Sequence, residues 1–400
     1  MTSHVILEIK YILSKIICNR AQHTMLETKI NKFLSEFDTK SLKGYSVYDA
    51  FNSPLLKHIG KFEFKLINVI ITQTFKRIPF NIRGLFGVKK SVNPKSLGLI
   101  LKAKLLLSKS EKDVKPLYNL ILIEKNKEFQ NLCWGYNWDY YTLRGGTFPK
   151  GFPNAIVTYF IGDALLDYYL KYPSEQLKNN LLSIRDYFIE DINKTTSEYG
   201  ICFSYSSIDH KEIYNASALI SRYLYRLGNL FDTSDKALLI KSIVYLKKAQ
   251  NEDGSWFYGN ALNQKWVDSF HTEYLLEFFE CLDKELIEEL DLEELLSKAQ
   301  LYYLKEFYFH KVCNYFPKKK YPINVHSVAS RIIYLSQNNK TNEAKEIIEW
   351  AFNNLYNNRK FAFYFEKNKY LVNKNLYHRW NQSWMYLALC FYKSKNINEA

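Results

Sequence analysis

The sequence predicts an all-α protein, an (α/α)6 toroid of alternating inner and outer helices, and three observations carry that expectation. Apolar residues recur with helical periodicity through most of the chain. Segments that are apolar all round alternate with segments that keep one polar face, the patterns of inner and outer helices respectively. The apolar helices also open alike, at Asn93, Asn154, Asn215, His271, His326 and Asn381, spaced 61, 61, 56, 55 and 55 residues apart. A near-constant period of this size marks an array of helical hairpins, and six hairpins closing on themselves make a toroid. It is expected as a single domain over residues 46–400, behind an N-terminal helical extension at 1–45.

The opening stretch, MTSHVILEIKYILSKIICNR, is apolar but broken by Glu8, Lys10 and Lys15. It has no small-residue cleavage site, so it reads as an amphipathic helix over about 5–17 and not as a signal peptide. With a second helix over about 46–75 it is expected to supply the sixth outer partner and a cover. NPKSLGLILKAKLLL then starts the first inner helix, with Pro94 at its first helical position. The remaining inner helices are read at 154–172, 215–230, 271–285, 326–338 and 381–395, and outer helices at 174–193, 233–250 and 341–358. Asn is a favoured N-cap, which accounts for Asn93, Asn154, Asn215 and Asn381. His is not, so His271 and His326 need another reason to stand at helix starts. In a toroid, inner-helix N-termini share one mouth of the ring.

Composition narrows the function classes. The 55 basic and 41 acidic residues leave a formal charge of +14, which favours anionic partners. The charge is scattered, and no nucleic-acid-binding signature appears. Six widely spaced cysteines with no C-x-x-C support neither a metal finger nor a disulfide framework. No apolar run of about 18 residues occurs, so no transmembrane span is expected, though peripheral membrane association is compatible with the charge. A cytoplasmic location is the expectation, with no cofactor and no metal.

The segment KSIVYLKKAQNEDGSW (241–256) resembles the QW motif of triterpene cyclases and related toroids, through Lys241, Tyr245, Leu246, Gln250, Gly254 and Trp256. The resemblance implies a structural role, with Gln250 bonding to backbone at a neighbouring helix end and Trp256 packing across it. The acidic D-x-D-D motif of those cyclases is missing, which argues against isoprenoid chemistry.

Function gathers on loops held by a rigid scaffold, and here the loops before the inner helices are rich in aromatic and polar residues. They offer Trp134, Tyr136, Trp138, Asp139 and Arg144; Tyr205 and Asp209; Tyr258, Trp266 and Asp268; Tyr315; and Glu366, Arg379 and Trp380, with Asn154, Asn215 and Gln382 at helix starts. Aromatic faces beside amides and charges suit sugar rings. Three chemistries fit. Glycoside hydrolysis needs two carboxyl groups roughly 5–9.5 Å apart, drawn from Asp139, Asp209, Asp268 and Glu366. Epimerisation or β-elimination of a uronic acid needs a base, from His271, His326, Tyr205 or Tyr258, and a group for the substrate carboxylate, from Arg144, Arg379 or Asn215. Binding without chemistry needs only the aromatics and amides. Asp268 has an ordinary alternative role as cap of the helix that carries His271.

Ten segments together resemble the VpsJ-like polysaccharide biosynthesis proteins: YDAFNSPLL (48–56), RIPFNIRGLFGV (77–88), NPKSLGL (93–99), CWGYNWDYY (133–141), PNAIVTYFIGDALLDYY (153–169), GICFSYSSID (200–209), DGSWFYG (253–259), WVDSFHTEYLLE (266–277), YPINVHSVAS (321–330) and RWNQSWM (379–385). The likeness runs from about residue 45 onward. It implies an α/α toroid that makes or modifies surface polysaccharide (capsule, O-antigen or exopolysaccharide) with an acidic saccharide or polysaccharide intermediate as partner, and it assigns no catalytic residue. NWDYYTLRGG departs from an aromatic-Gln-Ser-Arg run in that family. The alternative is a non-catalytic toroid that holds a glycan or polyprenyl-linked intermediate in an assembly complex.

Overall fold

In a computed structural model, residues 24–60, 65–142, 146–309 and 312–398 are described. Helices α1 (24–39), α2 (Lys57–Gly60) and α3 (Lys65–Arg77) precede the ring proper. Six inner helices follow: α4 (Pro94–Leu107), α6 (Ala155–Lys171), α8 (Tyr214–Phe231), α10 (Ser269–Glu280), α13 (Val325–Gln337) and α15 (Trp384–Asn398). Each packs on the next, and α15 packs back on α4, so the ring closes. In α6, every residue from Ala155 to Leu166 is buried, as an apolar circumference requires.

The outer helices are α5 (Lys115–Ile123), α7 (Glu175–Asp186, continued by a π turn to Asp191), α9 (Lys236–Lys248), α12 (Glu293–Phe307) and α14 (Thr341–Asn354), with the short α11 (Lys284–Glu289) before α12. The sixth outer place belongs to α1. Its Phe37 stacks on Tyr386 of α15 with ring centroids 4.3 Å apart, Tyr386 donates to Asp38 at 2.8 Å, and Phe33 sits in the main core. Residues 46–75, expected as one helix, are broken into a 3-10 turn at Ala50–Asn52, α2 and α3. The break has a local cause: Ser53 turns its hydroxyl onto Phe86 O and caps the backbone of Leu56, and Pro54 follows it. The helix expected at 5–17 lies outside the described residues.

One hydrogen bond, repeated round the ring, gathers the inner-helix starts at one end. The first N–H groups of a helix have no partner inside it. Here Ala155 N donates to Tyr205 O, Tyr214 N to Tyr258 O, Ser269 N to Tyr315 O and Val325 N to Phe365 O, at 2.9–3.2 Å. His378 N donates to Tyr45 O at 3.0 Å, carrying the pattern across the chain ends. Each of these five starts is thus tied to the stretch that precedes the next inner helix, while α4 begins at Pro94, which has no N–H to offer. Asn93 and Asn154 are N-caps, accepting from Ser96 N and Val157 N. Asn215 and Asn381 are not. Asn215 lies inside α8, whose first N–H is already satisfied by Tyr258 O, and Asn381 sits in the π turn His378–Ser383, donating to Phe363 O and Asn375 O.

The 241–256 stretch joins hairpins. Gln250 donates to Leu295 O of α12 at 3.0 Å, buried Trp256 donates to Leu246 O at 2.9 Å, and its ring stacks on Phe279 of α10. Gly254 makes the turn at φ +88, where a side chain would meet the Lys298 backbone. Among the described residues no helix is long and apolar enough to cross a membrane.

Beyond the mouth, the ring interior carries charge. Lys102 of α4 and Arg226 of α8 both pair with Asp163 and Asp167 of α6, and Arg222 pairs with Glu277 of α10. Glu273 is buried beside this network, and burial, with Glu277 adding repulsion, raises its carboxyl to about 8. A folded pKa above the unfolded one, about 4.3, means stability falls as pH rises between the two values. Glu273→Gln is therefore expected to match the parent near pH 4 and to exceed it increasingly up to pH 8, by on the order of 4 kcal/mol. Urea unfolding across that range checks it; parallel curves would show that Glu273 is ionised in the fold.

Candidate active site

The mouth defined by the inner-helix starts is lined by aromatic rings drawn from every neighbouring loop. Tyr136 stacks on Trp138 with centroids 4.6 Å apart, and Tyr258 on Trp266 at 4.4 Å. Tyr205 Oη lies 3.4 Å from Tyr136 Oη. Tyr48, from the loop before α4, packs on Trp138, Tyr140 and Trp380. The guanidinium of Arg379 lies over Tyr136, Trp138 and Trp380, 4.8–5.5 Å from their ring centres.

Asp268 has two roles, one from each oxygen. Oδ1 accepts from His271 N at 3.1 Å and caps α10, while Oδ2 lies 2.7 Å from His271 Nδ1 and also accepts from Trp266 Nε1 at 3.2 Å. A carboxylate oxygen accepts, so Nδ1 is the nitrogen that donates to it and Nε2 is the one left free of Asp268. The His271 side chain is 21% exposed against 1% for Asp268, so the base is reachable and its partner is not.

His326 packs on Phe270 as His271 does, its ring centre 4.3 Å from that of Phe270 and 4.2 Å from that of Trp384. Its Nε2 is 3.2 Å from Tyr274 Oη, and Nδ1 has no hydrogen-bond partner among the described residues. Burial, aided by the positive charges of Lys95 and Arg379, holds this imidazole well below its usual range, so it is neutral at pH 7. Asn324 caps α13 through His326 N and accepts from Trp380 Nε1 at 2.8 Å. The two histidines therefore stand at helix starts because neighbours do the capping.

Some predicted residues do not reach the mouth. Trp134 is fully buried and donates to Ile121 O, which makes it core. Asn154 is occupied as a cap, and Gln382 is pinned to Phe363 through both ends of its amide. Asn215 is buried with its carboxamide oxygen unpartnered. Asp139 accepts from Lys150 N at 2.8 Å and closes the Tyr140–Phe148 hairpin. Tyr205 and Tyr258 are held protonated by burial, with neighbouring tyrosines adding to the shift, so each is a donor and not a base at neutral pH. Arg144 lies outside the described residues. Sequence reasoning missed Tyr48, Lys95 and Tyr274; all three fall in segments quoted above, but no local pattern marks them as convergent. Among the described residues no group of three His, Cys, Asp or Glu side chains is placed to hold a metal ion.

A helical ring of this kind is the fold shared by sugar epimerases and several glycosidases of solved structure. The chain is similar to a sugar epimerase from a ruminal bacterium (TM-score 0.53, 11% identity, 85% of this chain and 99% of that one). It is also similar to the cellobiose 2-epimerase of Spirochaeta thermophila (0.52, 8%, 77% and 87%) and to a family 76 α-mannanase of Bacteroides thetaiotaomicron (0.52, 12%, 76% and 86%). At these identities the likeness is one of fold. No family model and no curated protein matches the sequence.

Proposed function

We propose that the protein is a carbohydrate-active enzyme of the epimerase type, acting by histidine acid–base chemistry on an acidic sugar unit of a surface polysaccharide or its precursor. One observation carries this reading: the Asp268-oriented His271 and a second, neutral imidazole, His326, both pack on the Phe270 ring in a mouth of stacked rings. His271 Nε2 takes the proton from the sugar carbon. The Tyr274 hydroxyl, 3.2 Å from His326 Nε2, returns a proton from the other side and regains one from solvent as His271 releases its own, and two such groups are what inversion at carbon requires.

Hydrolysis fits less well, because the carboxylates of the mouth are engaged. Asp209 accepts from Ser206 Oγ, Tyr205 N and Lys211 N, Asp139 closes its hairpin, and Glu366 accepts from Asn324 and Asn368. The polysaccharide context rests on the VpsJ-like segments and the saccharide partner on the aromatic lining. The cytoplasmic location belongs to the same proposal.

The test is proton exchange. Incubating the full chain with glucuronate or uronate oligosaccharides in D2O is expected to introduce deuterium at a ring carbon, read by NMR. Ligand binding with no exchange on any sugar tried would leave the assembly-complex reading in its place.

A further inference from the structure

Two cations lie buried beside the histidines without a counter-charge. Lys95, in the first turn of α4, and Arg379 are each 3% exposed, and among the described residues neither has an ion-pair or hydrogen-bond partner. The Lys95 ammonium lies 3.7 Å from the Phe160 ring centre and 5.4 Å from that of Trp384, which itself touches His326. Gly98, one turn along α4, permits this approach: a Cβ there would come 2.6 Å from Phe160 O. Arg379 Nε, Trp138 Nε1 and Trp384 Nε1 are likewise buried donors with no acceptor. A ring face offers a cation only part of what water does, and buried charges are otherwise paired. Two like charges and three unmet donors in one place call for an acceptor-rich anion.

We propose that Lys95 and Arg379 form the seat for the anionic group of the ligand, a carboxylate or phosphate carried on the sugar. This deepens the reading above, on which it rests for the sugar. The charged or titratable groups facing Lys95 are Arg379 and His326; α6 contributes Phe160 and α15 contributes Trp384. Burial, with repulsion from Arg379, holds the Lys95 amine well below its usual range. An arriving anion favours the charged form of both side chains.

Calorimetry on the full chain and on Lys95→Met at pH 7.5 tests this with glucuronate, glucose 1-phosphate, inorganic phosphate and glucose. Glucuronate or glucose 1-phosphate is expected to bind at least tenfold tighter than glucose. Whichever of the two binds better identifies the anion, and inorganic phosphate alone is expected to bind far more weakly. Lys95→Met is expected to melt higher than the parent, through loss of a buried cation, yet to bind the anionic sugar about 30-fold or more weakly and glucose unchanged. Equal affinity for glucuronate and glucose, tightest binding by inorganic phosphate, or an unaltered Lys95→Met would overturn the proposal. Deuterium exchange separates the two readings: anion binding through Lys95 without exchange sinks only the chemistry, and exchange undiminished in Lys95→Met sinks only the seat.

Discussion

His271→Asn is expected to reduce ring-carbon deuterium exchange by about 10^3-fold, within the range by which general bases contribute, while glycan affinity changes less than threefold. Asparagine at this position leaves the Asp268 cap on His271 N intact, because that bond is made by backbone. The imidazole lone pair is what is lost. Asp268→Asn separates positioning from chemistry, since Asn caps a helix about as well as Asp. It no longer dictates which ring nitrogen carries the proton, so a loss of about 10- to 100-fold is expected. The pH–rate profile is expected to move as well, which a purely structural role would not produce. If His271→Asn exchanges at the parental rate, the base lies elsewhere and the proposed mechanism is wrong.

Asp163→Ala is expected to be among the most destabilising single changes, costing about 3–5 kcal/mol. The carboxylate is buried in the ring interior, 2.6 Å from Lys102 Nζ and paired with Arg226, while Asp167 joins the same two cations. Removing it leaves Lys102 and Arg226 to share Asp167 alone, two cations on one carboxylate. Lys102 and Arg226 outweigh the desolvation and hold Asp163 well below the usual carboxylate range. A depressed folded pKa stabilises above the unfolded value, near 3.9, and that contribution is lost as pH falls below it. Urea unfolding at pH 7 measures the cost, and adding Arg226→Met is expected to recover part of it by removing the excess positive charge. A loss below about 1 kcal/mol would mean the network is solvated.

What was legible and what was not divide along physical lines. Helical periodicity, the Asn93 and Asn154 caps and the repeat spacing are local properties, because a helix forms from contacts three and four residues apart. They sufficed for the ring and for its inner helices. The same local reasoning misassigned Asn215 and Asn381, whose helix starts are closed by bonds to distant parts of the chain. It also joined residues 46–75 into one helix where Ser53 and Pro54 interrupt it, and it counted Trp134 and Gln382 as ligand contacts when one is core and the other pinned to Phe363.

By itself, then, the order of residues determined a closed array of helical hairpins with its aromatic loops at one end, because side-chain pattern and capping act within a turn or two of chain. Only the tertiary structure decided that Asp268 aims His271, that Lys95 and Arg379 stand unpaired beside His326, and that the carboxylates of the mouth are engaged. Those facts depend on which side chains meet after six hairpins from distant stretches of sequence close on one another, and no local interaction specifies such meetings.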